Sequence, residues 1–136
     1  HLIDEGLKRF GVLYLVDCHS MPSSLRGQGL KGGRPDIILG NRYGTSCDSN
    51  HFARAHRCLT AFGYDVGQNA PYAGGFITAH YGNPEKNVHS LQIEINRNLY
   101  MNQQSVAPSE GFETLQKNIG YFIAEFTRSD SSLLSA

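Results

Sequence analysis

The sequence predicts an α/β fold built around a mostly parallel sheet. Segments with apolar residues at helical spacing alternate along the chain with short apolar runs typical of strands. The run at residues 12–18 is apolar without alternation for most of its length, which is typical of a strand buried on both faces. The run at residues 90–96 instead alternates apolar and polar side chains, which predicts a strand with one apolar and one polar face.

The first quarter of the chain predicts a helix, a strand and a long loop. A helix is expected over residues 2–10 because Ile3, Leu7 and Phe10 recur on one helical face. A chain that opens inside a helix is expected to be part of a longer protein. After the first strand, residues 20–35 are rich in glycine and are expected to form a loop, and loops of this length are usually functional or mobile.

The middle of the chain predicts shorter elements separated by glycine. They are, in order, a strand at 36–40, a helix capped by Asp48, a strand at 64–68, a turn-rich loop at 69–75 and a short strand at 76–81.

The last third predicts the alternating strand and a closing helix. The strand carries Leu91, Ile93 and Ile95 on one face and Gln92, Glu94 and Asn96 on the other. The helix opens near Pro108 and buries a stripe of Phe112, Leu115, Ile119, Phe122 and Phe126. Residues 1–128 are therefore read as part of one domain, and the Ser-rich tail at 129–136 is expected to be frayed.

Composition excludes several classes of protein. The chain has 136 residues, of which 40% are hydrophobic, enough for a core, and its formal net charge is zero, unlike a strongly basic nucleic-acid binder. No apolar run approaches the ~20 residues that a membrane span needs. The three cysteines form no Cys-x-x-Cys pair, which argues against a disulfide scaffold or zinc ribbon and favours a cytoplasmic protein.

Asp17 and His19 are the first candidates for chemistry, since they lie at the end of the first predicted strand. Ligands of α/β sheets bind beyond such strand ends. The two side chains leave the strand on the same face, so the carboxylate could fix the tautomer of an imidazole that binds zinc. The alternative is a partly buried histidine hydrogen-bonded to a backbone carbonyl.

Glu94 is the second candidate, because a carboxylate within an apolar strand is costly to bury unless it is paired or catalytic. Burial would raise its pKa and suit it to act as a general base on a metal-bound water. The alternative is a structural ion pair with Arg97 or Arg42.

Arginines and a glycine-rich loop could bind a substrate. Arg34, Arg42 and Arg97 each lie near a strand end, and guanidinium groups grip carboxylates through paired hydrogen bonds. The loop that carries Asn69 and Tyr72 contains glycines that would let its backbone approach a ligand. The alternatives are solvated arginines and an ordinary tight turn.

Several segments, taken together, resemble the N-formylglutamate amidohydrolase family. The first matches the Asp-x-His-Ser-Met-Pro signature of that family, and the others follow in the same order. The segments are 16–23 (VDCHSMPS), 34–37 (RPDI) with 39–45 (LGNRYGT), 69–78 (NAPYAGGFIT), and 92–97 (QIEINR) with 99–101 (LYM).

The resemblance implies a three-layer α/β/α fold like that of zinc carboxypeptidases and aspartoacylases, incomplete at its N-terminus. It implies one catalytic zinc and hydrolysis of N-formyl-L-glutamate, or a similar N-acyl acidic amino acid, to the amino acid and formate, as in histidine breakdown. His19 matches a metal ligand and Glu94 the catalytic glutamate. Arg42 and Arg97 would hold the substrate carboxylates, with Asn69 and Tyr72 nearby.

Members of the family are roughly twice as long as this chain, so the other metal ligands are expected N-terminal to His1. Two alternatives remain open. One is a truncated, metal-free remnant or binding domain without catalysis. The other is a related zinc peptidase or deacylase that acts on a different acyl substrate.

Overall fold

The computed structural model describes residues 2–23 and 34–128. Four helices and six strands form in this part of the chain. They are α1 (Leu2–Phe10), β1 (Leu13–Met21), β2 (Ile37–Gly40), α2 (Ser49–Ala61), β3 (Val66–Gln68), α3 (Phe76–Tyr81), β4 (Val88–Asn96), β5 (Met101–Asn102), β6 (Ala107–Pro108) and α4 (Phe112–Phe126).

The first four strands form one sheet in the order β1-β4-β2-β3, and β5 pairs with β6 in a separate two-stranded sheet. β1 runs parallel to β4 and β2 runs parallel to β3, whereas β2 and β4 are antiparallel. The predicted mostly parallel sheet is therefore confirmed, with one antiparallel pairing at its centre. β4 has a neighbour on each side, and almost all of its residues are buried.

Helices cover both faces of this sheet, which gives the expected α/β/α layers. The core lies on one face, where α2 and α4 pack together over Leu91 and Ile93 of β4. On the other face α3 contacts β4 and β1, and Gly6 of α1 lies against Leu13. The buried core cluster consists of Ile37, Leu39, Cys47, Phe52, Ala55, Leu59, Leu91, Ile93, Phe122 and Phe126.

The expectation that the first strand is buried on both faces is wrong. β1 lies at the edge of the described sheet, and Met21 is its one buried residue. The strand also continues to Met21, so the loop predicted from residue 20 begins later. The rest of that loop, residues 24–33, and the tail at 129–136 lie outside the described residues.

The strand predicted at 76–81 is the helix α3. Local contacts outweigh the strand preference of its aromatic and β-branched residues. The Thr78 hydroxyl donates to the carbonyl of Gly75 at 2.8 Å. The rings of Phe76 and His80, four residues apart, stack with centroids 4.9 Å apart, a contact that a helix provides.

The other helices follow the predicted pattern with small shifts. α2 is capped by Asp48, whose side chain accepts from the Asn50 amide at 2.8 Å. α4 begins at Phe112, and that residue is 39% exposed rather than buried, whereas Leu115, Phe122 and Phe126 are buried as expected. No helix in the described ranges is long and apolar enough to cross a membrane.

Candidate active site

Glu94 lies on the central strand and is 7% exposed. The register pairs it with His19 of β1 on one side and with Ile38 of β2 on the other. Directly paired residues of neighbouring strands have side chains on the same face, and the strands lie about 4.8 Å apart. His19 and Glu94 are therefore neighbours on one face of the sheet.

His19 faces Asp17, two residues earlier on the same strand. Its Nε2 lies 3.0 Å from Oδ1 of Asp17, and the two side chains are 47% and 16% exposed. The ring is thus held by a carboxylate rather than by a backbone carbonyl. Nδ1 makes no hydrogen bond within the described residues. An imidazole held in this way resembles a metal-binding histidine, whose second nitrogen is typically fixed by a carboxylate.

Gln92 connects Glu94 to the loop at 69–75. Its Nε2 donates to Oε1 of Glu94 at 3.0 Å, and its Oε1 accepts from the backbone amide of Gly75 at 2.6 Å. Gln92 is itself 5% exposed. The alternating pattern places this residue on the polar face of the strand but indicates no role for it.

The surroundings of Glu94 raise the pKa of its carboxyl group above the ordinary value. Burial is the main cause, because it disfavours the charged form, and the negative charge of Asp17 adds to it. His19, Arg34 and Arg97 act in the opposite direction and lower the pKa. Glu94 is thus a buried carboxylate that interacts electrostatically with basic side chains on three separate segments of the chain.

The loop at 69–75 lies against the end of β2. A Cβ atom on Gly40 would come within 2.6 Å of the carbonyl carbon of Ala73, so a glycine is required for this approach. The Asn69 side chain ties the loop down. Its Oδ1 accepts from the amides of Asn41 (3.0 Å) and Tyr43 (3.3 Å), and its Nδ2 donates to Oδ1 of Asn41 at 2.9 Å. The side chain proposed for substrate binding therefore joins two loops.

The three arginines differ in position. Arg34 donates to the Tyr72 hydroxyl at 3.2 Å, and its guanidinium lies over the Tyr72 ring, 5.6 Å from the centroid. Arg97 donates from Nε to the Ser20 hydroxyl at 3.2 Å. Both lower the pKa of Glu94. Arg42 is exposed and donates to the carbonyl of Gly74 at 3.0 Å, so its visible contact is with the loop.

The described residues contain no cluster of three or more histidine, cysteine or acidic side chains arranged to hold a metal ion. His19, with Asp17 behind it, has the chemistry of one zinc ligand, whereas a zinc site with bound water usually has three protein ligands. The described residues thus fit zinc by supplying one ligand, and they do not supply a complete ligand set.

A second histidine environment lies on the opposite face of β4. His89 is 4% exposed. Its ring stacks on that of Tyr14, with centroids 5.5 Å apart, and meets the ring of His51 edge-on, with centroids 4.3 Å apart. Its Nδ1 accepts from the backbone amide of Asp48 at 3.3 Å. Burial, with a smaller contribution from His51, lowers its pKa to about 4. The alternating pattern, which begins at residue 90, does not include His89.

Known proteins resemble both the sequence and the fold. The model of the N-formylglutamate amidohydrolase family matches residues 1–101. The N-formylglutamate deformylase of Pseudomonas aeruginosa is 42% identical over 97 residues, 71% of this chain and 36% of that protein. That of Pseudomonas putida is 36% identical over 102 residues, 74% of this chain and 38% of that protein.

A solved structure gives the same result. The crystal structure of N-formylglutamate amidohydrolase from Ralstonia eutropha JMP134 has a TM-score of 0.84 and 36% identity, over 93% of this chain and 47% of that one. The chain spans somewhat over a third of the curated relatives and about half of the solved one. The chain belongs to the N-formylglutamate amidohydrolase family.

Proposed function

We propose that the full chain carrying this sequence hydrolyses N-formyl-L-glutamate, or a similar N-acyl acidic amino acid, to the amino acid and formate. The observation that carries the proposal is the buried carboxylate of Glu94, paired in register with His19, in a chain of this family. Both related proteins from Pseudomonas are named N-formylglutamate deformylase. The substrate is a small molecule, and the cytoplasmic location predicted from the cysteines is part of the proposal.

The proposal includes one catalytic zinc ion, with His19 as one of its ligands. The Asp17 carboxylate on Nε2 supports this role, because it leaves Nδ1 as the nitrogen able to bind a metal. Zinc in such a site supplies Lewis acidity, which polarises a carbonyl and makes a bound water more acidic. The remaining ligands come from outside the described residues.

Glu94 acts as the general base in the proposed reaction. Its raised pKa makes it a better proton acceptor than an ordinary carboxylate, provided that it is ionised at the working pH. Glu94 takes a proton from the attacking water while the oxygen of that water forms a bond to the formyl carbon. The proton then passes to the amide nitrogen as the carbon–nitrogen bond breaks, which releases formate and the amine of glutamate.

Cationic side chains around Glu94 hold the substrate carboxylates. Arg97 and Arg34 have the strongest support, because both lower the pKa of Glu94. They bond to different neighbours, Arg97 to the Ser20 hydroxyl and Arg34 to the Tyr72 hydroxyl. The Tyr72 hydroxyl accepts a hydrogen bond from the Arg34 guanidinium, so it would lie beside a substrate carboxylate bound there. Arg42 contributes indirectly. It donates to the backbone carbonyl of Gly74 and so orients the loop segment that carries Tyr72.

Release of the free amino acid from a panel of amides tests the proposal. The full chain is purified, supplied with zinc and given N-formyl-L-glutamate, N-formyl-L-leucine and N-acetyl-L-glutamate. We expect release of the free amino acid to be fastest with N-formyl-L-glutamate, with formate as the second product, and to be lost on chelation and restored by zinc. Preference for the acetyl compound would point to a different acyl substrate. Absence of hydrolysis with every compound would favour a remnant without catalysis and contradict the proposal.

A further inference from the structure

The buried amide of Gln92 lies between the loop at 69–75 and the carboxylate of Glu94. It makes one hydrogen bond to each, to the Gly75 amide at 2.6 Å and to Oε1 of Glu94 at 3.0 Å. We infer that Gln92 is a positioning residue, which fixes the orientation of the Glu94 carboxylate and couples it to the loop that carries Tyr72. The inference rests on the proposed role of Glu94 as the base.

The two contacts determine how the Gln92 amide is oriented. A backbone N–H can only donate, so the atom of Gln92 that faces Gly75 must be the oxygen. The nitrogen then faces Glu94 as a donor, which an ionised carboxylate accepts at either oxygen. An amide turned the other way would set two donors against each other at Gly75 and two acceptors against each other at Glu94.

This arrangement makes the two oxygens of Glu94 different. Oε1 is occupied by the Gln92 donor, whereas Oε2 accepts no hydrogen bond within the described residues. Oε2 of Glu94 therefore takes the proton, while Oε1 is held in place by Gln92. A base that is held at one oxygen needs little reorganisation when it takes a proton at the other, and small errors in the position of reacting groups are costly.

The side-chain amide of Gln92 also links the position of the loop at 69–75 to the orientation of Glu94. Gly75 also precedes α3, and the loop before it holds Tyr72 against Arg34. Because Gln92 touches both the loop backbone and the base, a loop displaced from Gln92 leaves the Glu94 carboxylate without its donor. Substrate contact at Tyr72 and alignment of Glu94 are thus linked through one side chain.

Two substitutions in the full chain, loaded with zinc, test the inference. Gln92→Met keeps the approximate size of the side chain and removes both hydrogen bonds. Gln92→Glu keeps an acceptor for Gly75 but places a second carboxylate against Glu94. Two adjacent carboxylates share one proton, whereas Glu94 must be free of that proton to act as a base. We expect each to lower kcat for N-formyl-L-glutamate between about 10- and 100-fold, with KM changed less than about threefold.

Ser90→Ala is the matched control. Ser90 is fully buried on the same strand and the same face, but its hydroxyl has no hydrogen-bond partner in the described residues. This variant should retain wild-type kcat and KM. Thermal unfolding of all three variants separates a loss of alignment from a loss of folded protein.

The NMR signal of the Gly75 amide proton tests the contact with Gln92 without relying on activity. The short bond to Gln92 should shift the Gly75 amide proton downfield in the wild type and in Gln92→Glu, and the shift should be lost in Gln92→Met. Wild-type kcat in either Gln92 variant, or a Gly75 signal that is unchanged in Gln92→Met, overturns the positioning role. Wild-type protein without deformylase activity but with the predicted Gly75 shifts would instead refute the proposed function while the Gln92 contact stands.

Discussion

His89 should make the fold less stable in mild acid. In the native state it is buried, with a pKa of about 4, whereas an unfolded histidine titrates near 6.5. The unfolded chain therefore binds a proton first as the pH falls. The stability that His89 contributes is complete above about pH 6.5 and is lost as the pH falls towards 4. The full loss is at most about 3 kcal/mol, of which about 2 kcal/mol falls between pH 7 and pH 5.

Urea unfolding of wild type and His89→Asn at pH 7 and pH 5 measures this contribution. Asparagine places an oxygen near the position of Nδ1, where it can accept from the Asp48 amide, but it does not titrate in this range. The drop in the free energy of unfolding between the two pH values should be about 2 kcal/mol smaller in the variant. His80→Asn, at an exposed position on α3, controls for the loss of a histidine. Equal drops in wild type and His89→Asn would refute the reasoning.

Three further predictions concern the site and the loop beside it. Gly40→Ala would force a Cβ atom to within 2.6 Å of the loop backbone, so it should lower stability by about 1–3 kcal/mol in urea unfolding, whereas Gly120→Ala, with no atom within 4 Å, should not. Arg97→Ala and Arg42→Ala should each raise KM for N-formyl-L-glutamate more than for N-formyl-L-leucine, and equal effects on both substrates would make these arginines structural. His19→Ala should lower the zinc content of the purified full chain, and unchanged zinc would remove His19 from the ligand set.

The faces of the central strand could be predicted from sequence because alternation of side chains is a local property. Gln92 and Glu94 lie on the polar face and Ile93 on the apolar face, as the pattern required. The same argument placed Asp17 and His19 on one face of β1. The resemblance to the family supplied the three-layer architecture, which periodicity alone does not specify.

The partners of these residues could not be predicted, because they depend on strand order and loop position. β1 and β4 are neighbours although β2, α2, β3 and α3 separate them along the chain. This adjacency pairs His19 with Glu94. The contact between Arg34 and Tyr72 likewise joins residues 38 positions apart. Local pattern contains no information about such contacts.

Two errors have specific physical causes. The segment Phe76–Tyr81 has strand-like composition, but Thr78 and stacked aromatic rings stabilise a helix there. The alternating pattern predicts a strand from residue 90, which leaves His89 outside it. β4 begins two residues earlier, which places His89 on the apolar face beside Tyr14.

Substitution of Glu94 by glutamine tests the central proposal most directly. Glutamine keeps the size of the side chain and removes the proton acceptor, so Glu94→Gln in the zinc-loaded full chain should bind N-formyl-L-glutamate with near-wild-type affinity and retain its zinc. We expect kcat to fall between about 100- and 10,000-fold, the contribution of a general base. A kcat within tenfold of wild type, with zinc and substrate bound normally, would contradict the assignment of Glu94 as the base.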